Sequence, residues 1–190
     1  METKQIAILI ITGVISITGI IVNIFKKNQK QDIFVLNDNH SLLLFRICIP
    51  LTLISSIFLY LFSSFKINID PILLFLSYTL IFVGYFIRLF AILSLGNYFT
   101  VNITISMDHK LKTNGIYKKI RHPSYTGLIL YYTGLGIAME NYICIIILFV
   151  IPLMVVLYRI KNEEKVLQQH FSLSYNEYKK QSYKLFPFIY

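Results

Sequence analysis

Charged residues are scarce in this sequence of 190 residues. Asp, Glu, Lys and Arg together make up 14% of the chain, whereas a soluble globular domain usually has about a quarter. Hydrophobic residues reach 56%. This composition excludes an ordinary water-soluble domain and indicates a protein that is embedded in a membrane. The length is that of one domain.

Cysteine and histidine are also rare, and neither residue type forms a ligand pattern. Cys48 and Cys144 lie inside long apolar runs, where a cysteine is usually a small buried side chain rather than half of a disulfide. The four histidines are scattered, and no cysteine pair has the spacing of metal ligands. We therefore expect neither a disulfide framework nor a metal.

Sequence motifs for nucleotide binding are absent as well. The chain has no G-x-G-x-x-G turn and no P-loop, which argues against a Rossmann site. Gly134 and Gly136 lie inside an apolar stretch, a position that is typical of close helix packing in membranes.

Five apolar segments run through the sequence. Their approximate bounds are Gln5–Phe25, Leu42–Phe62, Pro71–Leu95, Tyr125–Ala138 and Tyr142–Tyr158. The first three reach the roughly 20 residues that cross a hydrocarbon core. The last two are separated only by residues 139–141, which predicts a helical hairpin with a tight polar turn. Backbone groups in lipid must be paired internally, so we predict an all-α integral membrane protein with about five transmembrane helices.

Positive charge is distributed unevenly between the two sides of the predicted membrane. Only Lys4 and Lys66 lie on one side, and fifteen Lys and Arg residues lie on the other. The fifteen are Lys26, Lys27, Lys30, Arg46, Lys110, Lys112, Lys118, Lys119, Arg121, Arg159, Lys161, Lys165, Lys179, Lys180 and Lys184. The positive-inside rule then places the C-terminus in the cytoplasm and the N-terminus outside. The net charge of +9 lies beside anionic headgroups, so we expect no nucleic-acid partner.

The abundance of lysine and isoleucine suggests a bacterial chain, and hence a bacterial inner (plasma) membrane. Arg88 falls within the third apolar segment, seven residues before its cytoplasmic end. An intramembrane cation is a functional candidate, but a long side chain can also extend to the interface. Extension to the interface is the preferred interpretation.

The segment from Gly96 to Ser124 is polar but carries many apolar side chains, so it should fold back on the membrane face. Asn114-Gly115 predicts a turn, and Pro123 suits the first position of helix four. The phrase Arg121–Gly127 then opens that helix. Its free N–H groups and partial positive charge favour an anionic ligand group such as a carboxylate.

Two of these residues have simpler interpretations. Ser124 can be a cap of the first turn, and Tyr125 can be an aromatic of the membrane interface.

The end of helix five gives a second polar cluster, at Arg159, Glu163 and Glu164. Arg159 and Glu163 are four residues apart and share one helix face. A surface ion pair is the usual meaning of that spacing. Because helices four and five form a hairpin, however, this cluster should face Arg121 and His122, and convergent polar groups at the mouth of a bundle resemble a small-molecule site.

The tail begins with Val166, Leu167, His170 and Phe171 at helical spacing, which predicts a short amphipathic helix. We expect this tail to lie on the membrane surface as a lid, with a simple interfacial anchor as the alternative.

In their order, these motifs resemble the isoprenylcysteine carboxyl methyltransferase family. The similarity extends from about Leu95 to Tyr190. Its elements are Leu95-Gly96 with Tyr98-Phe99-Thr100, His109–Tyr117, Arg121–Tyr125 with Gly127, Glu163-Glu164 with Leu167 and Phe171, and Tyr175, Tyr178 and a late proline. The ordered spacing carries the resemblance. We therefore expect residues 96–190 to form the methyltransferase region and residues 1–95 the three preceding helices of one structural domain.

The resemblance implies a non-Rossmann site for S-adenosyl-L-methionine (SAM) beneath the membrane surface. The cofactor contacts of the family fall on Asn102, His109, Lys110, Leu111, Lys112, Tyr117, His122, Pro123, Ser124, Tyr125 and Glu163. Arg159 matches the family's substrate-side arginine, so Arg159 and Glu163 are the expected catalytic residues. Lys110 and Lys112 replace residues that are often smaller or apolar, which backbone contacts to the cofactor would tolerate.

Methyl transfer from a sulfonium requires alignment and exclusion of water, and needs no metal. Glu163 is expected to pair with the cofactor's ammonium group, and the N–H groups near His122–Tyr125 with its carboxylate. Arg159 is expected to hold an anionic acceptor. The expected acceptor is a lipophilic, lipid-tailed carboxylate, while a phospholipid amine and a small thiol remain open.

Two other classes remain open. Membrane sterol and enone reductases have a comparable Arg-His-Pro-x-Tyr turn and use NADPH. Recognition of the 2′-phosphate of NADPH would favour further arginines near the tail, but Arg159 is the last arginine in this sequence. A non-enzymatic membrane protein, such as a transporter subunit or a scaffold, is the third possibility. The chain has few intramembrane charges, however, and so lacks an obvious translocation path.

Overall fold

The structure is a computed structural model that describes residues 6–14, 33–35, 39–96, 104–106 and 111–187. Helical residues 6–14 form α1. The other helices are α2 (Asn39–Phe62), α3 (Pro71–Leu95), α4 (Pro123–Ala138) and α5 (Tyr142–Gln181), with a 3-10 helix at Gly115–Lys118. Strands β1 (Ile33–Val35) and β2 (Thr104–Ser106) are short. The helical fold is confirmed over the described residues.

Among the described residues, three helices are long and apolar enough to cross a membrane: α2 from His40, α3 and α5. The bounds of α3 agree with the prediction, and Pro71 begins it after Asp70, whose carboxylate accepts a hydrogen bond from the Ile72 N–H at 2.8 Å. Helix α4 has 16 residues, about 24 Å of helix, and is shorter than a hydrocarbon core of about 30 Å. The number of five spans therefore stays a prediction.

Helices α3 and α4 approach closely because glycines replace side chains along their contact. A Cβ on Gly127 would lie 2.5 Å from the Gly84 carbonyl oxygen, and one on Gly134 would lie 2.6 Å from the Ser77 carbonyl oxygen. Gly127 and Gly134 are two turns apart, so both fall on the face that meets α3. The helix-packing role that was predicted for Gly134 agrees with its contact to Ser77. The contact at Gly127 fixes the beginning of α4 beside Arg88.

A tight turn joins α4 to α5, as the sequence predicted. Asn141 caps α5 by accepting hydrogen bonds from the N–H groups of Ile143 and Cys144 at 3.0 and 3.2 Å. Its amide nitrogen donates to Ser63 Oγ at 2.7 Å, which ties the turn to the connection between α2 and α3. The antiparallel arrangement places the start of α4 beside the distal part of α5.

The predicted boundary after helix five is wrong. We expected helix five to end at the Arg159–Glu164 cluster and a separate amphipathic helix to begin near Val166, but α5 continues without interruption to a kink at Ser172. Ser172 has φ 43° and ψ −109°, and residues 173–181 then form a second helical segment. The polar residues after Tyr158 have adequate helix propensity, so loss of hydrophobicity did not end the helix.

The chain also contains a small antiparallel ladder that the sequence did not predict. Strand β1 pairs with β2 in the register Ile33↔Ser106, Phe34↔Ile105 and Val35↔Thr104. Near the C-terminus, a second backbone contact joins Ile120 to Tyr183. The Tyr183 N–H donates to the Lys119 carbonyl at 2.8 Å, and the Arg121 N–H donates to the Tyr183 carbonyl at 2.8 Å. This contact holds the C-terminal segment against the beginning of α4.

Candidate functional site

Four parts of the chain meet at one end of the helical bundle. They are the start of α2, the start of α4, residues 159–164 of α5 and the C-terminal segment 178–185. The two polar clusters that the sequence predicted to face each other do so. The apolar part of α5 ends at Tyr158, so the carboxylates at 163 and 164 lie more than a helical turn beyond it.

The hydroxyl of Tyr125 links the two predicted catalytic residues. It accepts a hydrogen bond from Arg159 Nε at 2.8 Å and donates one to Glu163 Oε2 at 3.0 Å. Arg159 is 3% exposed, and its guanidinium also lies 5.5 Å from the centre of the Phe45 ring and donates to Ser41 Oγ at 3.4 Å. The arginine is therefore enclosed between α2, α4 and α5.

Arg121 pairs with Glu164, and His122 lies near both Glu164 and Glu163. Arg121 Nε donates to Glu164 Oε1 at 2.9 Å, and the two side chains are largely buried. His122 Nε2 lies 3.4 Å from the same carboxylate oxygen, but the geometry is not that of a hydrogen bond, so Nε2 is a buried polar atom without a hydrogen-bond partner. His122 Nδ1 lies 3.9 Å from Glu163 Oε1, and the His122 ring stacks on Tyr125.

The two adjacent carboxylates differ in their availability. Burial alone would raise the pKa of Glu164, but the contacts and positive charge of His122 and Arg121 outweigh it and lower that pKa to about 2. Its side chain is 11% exposed, whereas that of Glu163 is 30% exposed. Glu164 thus holds the local structure together, while Glu163 keeps an accessible carboxylate for a ligand.

The side chain of Arg88 has partners at the beginning of α4, and its extension to the membrane interface stays a prediction. Its Nη1 donates to both the carbonyl oxygen and the hydroxyl of Ser124 at 3.1 Å. Close packing of Gly127 on the backbone of Arg88 brings these groups together. The hydroxyl of Ser124 therefore accepts a hydrogen bond from another helix. The N-terminal cap position of α4 is occupied by His122 and not by Ser124.

Tyr117 is buried beneath the site. Its hydroxyl donates to the Ala91 carbonyl of α3 at 3.1 Å, and its own carbonyl accepts a hydrogen bond from the Tyr178 hydroxyl at 2.5 Å. Burial and the nearby Glu163 carboxylate raise the pKa of Tyr117, so its hydroxyl stays protonated as a donor. The turn predicted at Asn114-Gly115 leads directly into this residue, with Gly115 at φ 61°.

The remaining predicted cofactor contacts divide into two groups. Pro123 is buried at the first position of α4, and Leu111 and Lys112 are half-buried ahead of the 3-10 helix. Asn102, His109 and Lys110 lie outside the described residues. Across the described part of the chain, no group of three His, Cys, Asp or Glu side chains is placed to hold a metal ion.

Two residues of the site had no role in the sequence analysis, and the partners of three others were not predicted. Ser41 and Phe45 surround Arg159 from α2, a helix in which no motif was found, so no sequence signal pointed to them. Arg88 did carry a signal, because a cation within an apolar segment requires a partner. Arg121 and Glu164 were both within recognised motifs, but their pairing depends on how α4 and α5 pack.

This fold and this cluster define a multi-pass, helical integral membrane protein with a polar site at the end of its bundle. The sequence model of the isoprenylcysteine carboxyl methyltransferase family matches residues 76–169. That range contains Arg88, the start of α4 and both carboxylates, and the predicted resemblance is confirmed. Over these residues the chain is similar to the isoprenylcysteine carboxyl methyltransferase family.

Individual relatives agree with the family match. Protein-S-isoprenylcysteine O-methyltransferase B of Arabidopsis thaliana is 35% identical over 113 residues, which cover 58% of this chain and 57% of that protein. The Dictyostelium discoideum protein-S-isoprenylcysteine O-methyltransferase is 40% identical over 82 residues, 43% of this chain and 35% of that protein.

A solved structure of the eukaryotic intramembrane Ras methyltransferase, an isoprenylcysteine carboxyl methyltransferase, superposes with a TM-score of 0.62 at 29% identity. The match covers 80% of this chain and 55% of that one. The chain thus spans little more than half the length of its first relatives. These relatives are eukaryotic, so the expectation of a bacterial chain in a bacterial inner membrane is not supported.

Proposed function

We propose that this protein is a membrane-embedded SAM-dependent methyltransferase that methylates the carboxylate of a lipid-tailed acceptor such as an isoprenylcysteine. The observation that carries the proposal is the hydrogen-bonded series Arg159–Tyr125–Glu163 at the beginning of α4. The Tyr125 hydroxyl joins the buried cation of Arg159 to the accessible anion of Glu163. The cation suits an anionic methyl acceptor, and the anion suits a cationic methyl donor.

The residues of the site fit the cofactor. SAM supplies a methyl group that is activated on a sulfonium, and its amino-acid end carries an ammonium and a carboxylate. Glu163 is the partly exposed carboxylate that we assign to the ammonium, because Glu164 is already paired with Arg121. In the first turn of α4 the Ser124 N–H offers a donor for a carboxylate, whereas the N–H groups of His122 and Tyr125 already donate to backbone carbonyls. Ser124, Tyr117, Pro123, Leu111 and Lys112 complete the proposed contacts.

Arg159 is the proposed partner of the acceptor carboxylate. Its Nε is committed to Tyr125, and the planar guanidinium is held over Phe45, so its orientation is fixed before an acceptor binds. Fixed orientation is what an in-line displacement requires of a protein. Because α2, α4 and α5 enclose this arginine, we propose that a lipid-tailed acceptor reaches it sideways from the membrane.

The orientation and segment boundaries are part of the same proposal. We place the site and the C-terminus on the cytoplasmic side, because positively charged residues concentrate there. We retain five spans, with α1 and α4 as the first and fourth, and a single structural domain divided functionally near residue 95. The C-terminal segment covers the beginning of α4 through Thr126 Oγ1, which donates to the Leu185 carbonyl at 2.7 Å.

Calorimetry on detergent-purified protein tests the cofactor assignment, with SAM and NADPH titrated separately. We expect SAM to bind and NADPH not to bind. Glu163→Gln should weaken SAM binding by about tenfold or more, since a hydrogen bond to a charged group contributes about 1.5–3 kcal/mol. Glu177→Gln is the matched control, because this glutamate is exposed on the last helical segment of α5.

Full SAM affinity in Glu163→Gln would remove the ammonium assignment. Binding of NADPH alone would favour a reductase, and binding of neither compound to folded protein would favour a non-enzymatic role.

A further inference from the structure

A second polar region lies on the opposite face of α5 from Glu163. An open groove of about 550 Å³ is lined there by α5 and the C-terminal segment. Its charged residues are the four lysines Lys161, Lys165, Lys179 and Lys184 together with Glu164. Successive helix residues rotate by about 100°, so Lys161 and Lys165 share one face and Arg159 and Glu163 point away from it. The groove is therefore separate from the proposed methyltransferase site.

The charge of the groove is positive and only partly compensated. Glu164 is the one acidic residue among the described residues that line the groove, and its carboxylate already accepts a hydrogen bond from Arg121 at 2.9 Å. Lys184 Nζ lies 4.0 Å from that carboxylate, while Lys161, Lys165 and Lys179 are exposed. Three of these lysines thus keep a charge for a ligand, and an anion is the complementary group.

An exposed apolar stripe leads along α5 into this groove. Ile146, Val150, Met154 and Tyr158 follow one another at intervals of four residues and are between 40% and 66% exposed. Tyr158 and Leu157 line the groove itself. Residues four apart lie on one helix face, so the stripe continues directly into Lys161 and Lys165. Apolar surface beneath clustered lysines matches a molecule that carries acyl chains below an anionic head.

The kink at Ser172 builds the other wall of the groove. It turns residues 173–181 back so that Lys179 and Lys184 face the lysines of α5. Buried Tyr178 anchors this segment to Tyr117, and Arg121 donates to the Lys179 carbonyl at 3.4 Å. The lysines therefore converge from two fixed segments rather than from a single loop.

We propose that this groove binds an anionic membrane phospholipid, with the phosphate-bearing headgroup between the lysines and an acyl chain along the Ile146–Tyr158 stripe. A lysine near an anionic membrane surface contributes about 1 kcal/mol, so loss of two lysines should weaken binding by about tenfold or more. This site is distinct from the proposed acceptor position at Arg159, and its occupancy does not require SAM.

Native mass spectrometry of delipidated, detergent-purified protein tests this site. Dioleoyl phosphatidylglycerol and dioleoyl phosphatidylcholine, which share their acyl chains, are added at equal concentrations without SAM or acceptor. We expect one phosphatidylglycerol to be retained per chain where phosphatidylcholine is not. The variant Lys161→Gln/Lys165→Gln should lose that lipid by about tenfold or more. Lys118→Gln/Lys180→Gln, which removes the same charge from exposed lysines outside the groove, should retain it.

Three results with the two lipids would overturn the proposal. The protein could retain phosphatidylglycerol and phosphatidylcholine equally, the groove variant could retain as much phosphatidylglycerol as the unaltered protein, or the control variant could lose as much as the groove variant. Glycerol 3-phosphate supplies the head without chains, and binding as tight as that of the lipid would identify a site for free phosphate instead. Melting temperatures without lipid check that both double variants fold. The single variant Lys165→Gln, with a smaller expected loss, replaces the double variant if that variant is unstable.

Discussion

The hydroxyl of Tyr125 lies 2.8 Å from Nε of Arg159 and accepts its hydrogen bond. The same hydroxyl donates to Glu163, so the phenol fixes the side chain of a buried cation relative to that of an accessible anion. We therefore expect Tyr125→Phe to lower kcat/KM by about tenfold to a hundredfold, because small errors in alignment have large effects on displacement reactions. Initial rates of methyl transfer measure this loss.

Tyr142→Phe is the control for that variant, since Tyr142 is 59% exposed at the other end of the hairpin. It should retain its activity. If Tyr125→Phe also had normal kinetics, the hydroxyl link would not position the site.

Arg88 is expected to position the first turn of α4 through Ser124. Replacing it by glutamine removes a charged donor that contacts both Ser124 oxygens at 3.1 Å. We expect Arg88→Gln to raise the Kd for SAM by about tenfold, while Ser124→Ala, which retains the carbonyl contact, has a smaller effect. Calorimetry measures both values. Arg46→Gln, at an exposed arginine of α2, should bind normally, and an unchanged Kd in Arg88→Gln would limit this arginine to a structural role.

The contact between Gly127 and Gly84 predicts a stability effect. Gly127→Ala would place a methyl group 2.5 Å from a backbone oxygen of α3, so the helices must move apart. We expect a destabilisation of about 1–3 kcal/mol, seen as a lower Tm in detergent. Gly13→Ala is the matched control, because Gly13 has no heavy atom within 4 Å of its added Cβ. Equal melting temperatures for the two variants would contradict the close approach.

Hydropathy and helical spacing were sufficient to predict the bounds of α3, the turn between α4 and α5, and the position of Pro123. These features depend on local sequence, since segment length and capping residues act within a few positions. The end of α5 could not be predicted in this way. The apolar run ends at Tyr158, but the helix extends to Ser172 because tertiary packing supports its polar part.

Much of the site was predicted through the order of its motifs, and the partners of its residues were not. Glu163 and Arg159 were recognised, but the connecting hydroxyl of Tyr125 depends on the rotation of α4 about its axis. Ser41 and Phe45 meet Arg159 only because α2 packs against α5. Such long-range contacts have no periodic signal in a single sequence.

Arg121 holds the C-terminal segment in place. Its guanidinium donates to Glu164 and to the carbonyl and hydroxyl oxygens of Ser182. The side chains of Arg121 and Glu164 are both largely buried. Arg121→Gln leaves the Glu164 charge without this partner, so we expect a destabilisation of about 3 kcal/mol. Hydrogen exchange should rise in residues 179–185.

Lys119→Gln, at an exposed neighbour, is the control for this variant and should leave exchange unchanged. Slow exchange in the C-terminal segment of Arg121→Gln would show that other contacts, such as Tyr178 with Tyr117, are sufficient to hold it.

Transfer of a labelled methyl group from SAM to a synthetic S-farnesyl cysteine, by protein reconstituted in lipid, tests the central claim most directly. The account predicts an alkali-labile methyl ester, formed by the unaltered protein and strongly reduced in Glu163→Gln, and no transfer to an acceptor whose carboxyl is already esterified. Absence of transfer by folded, SAM-binding protein, or equal transfer to the esterified acceptor, would contradict carboxyl methylation.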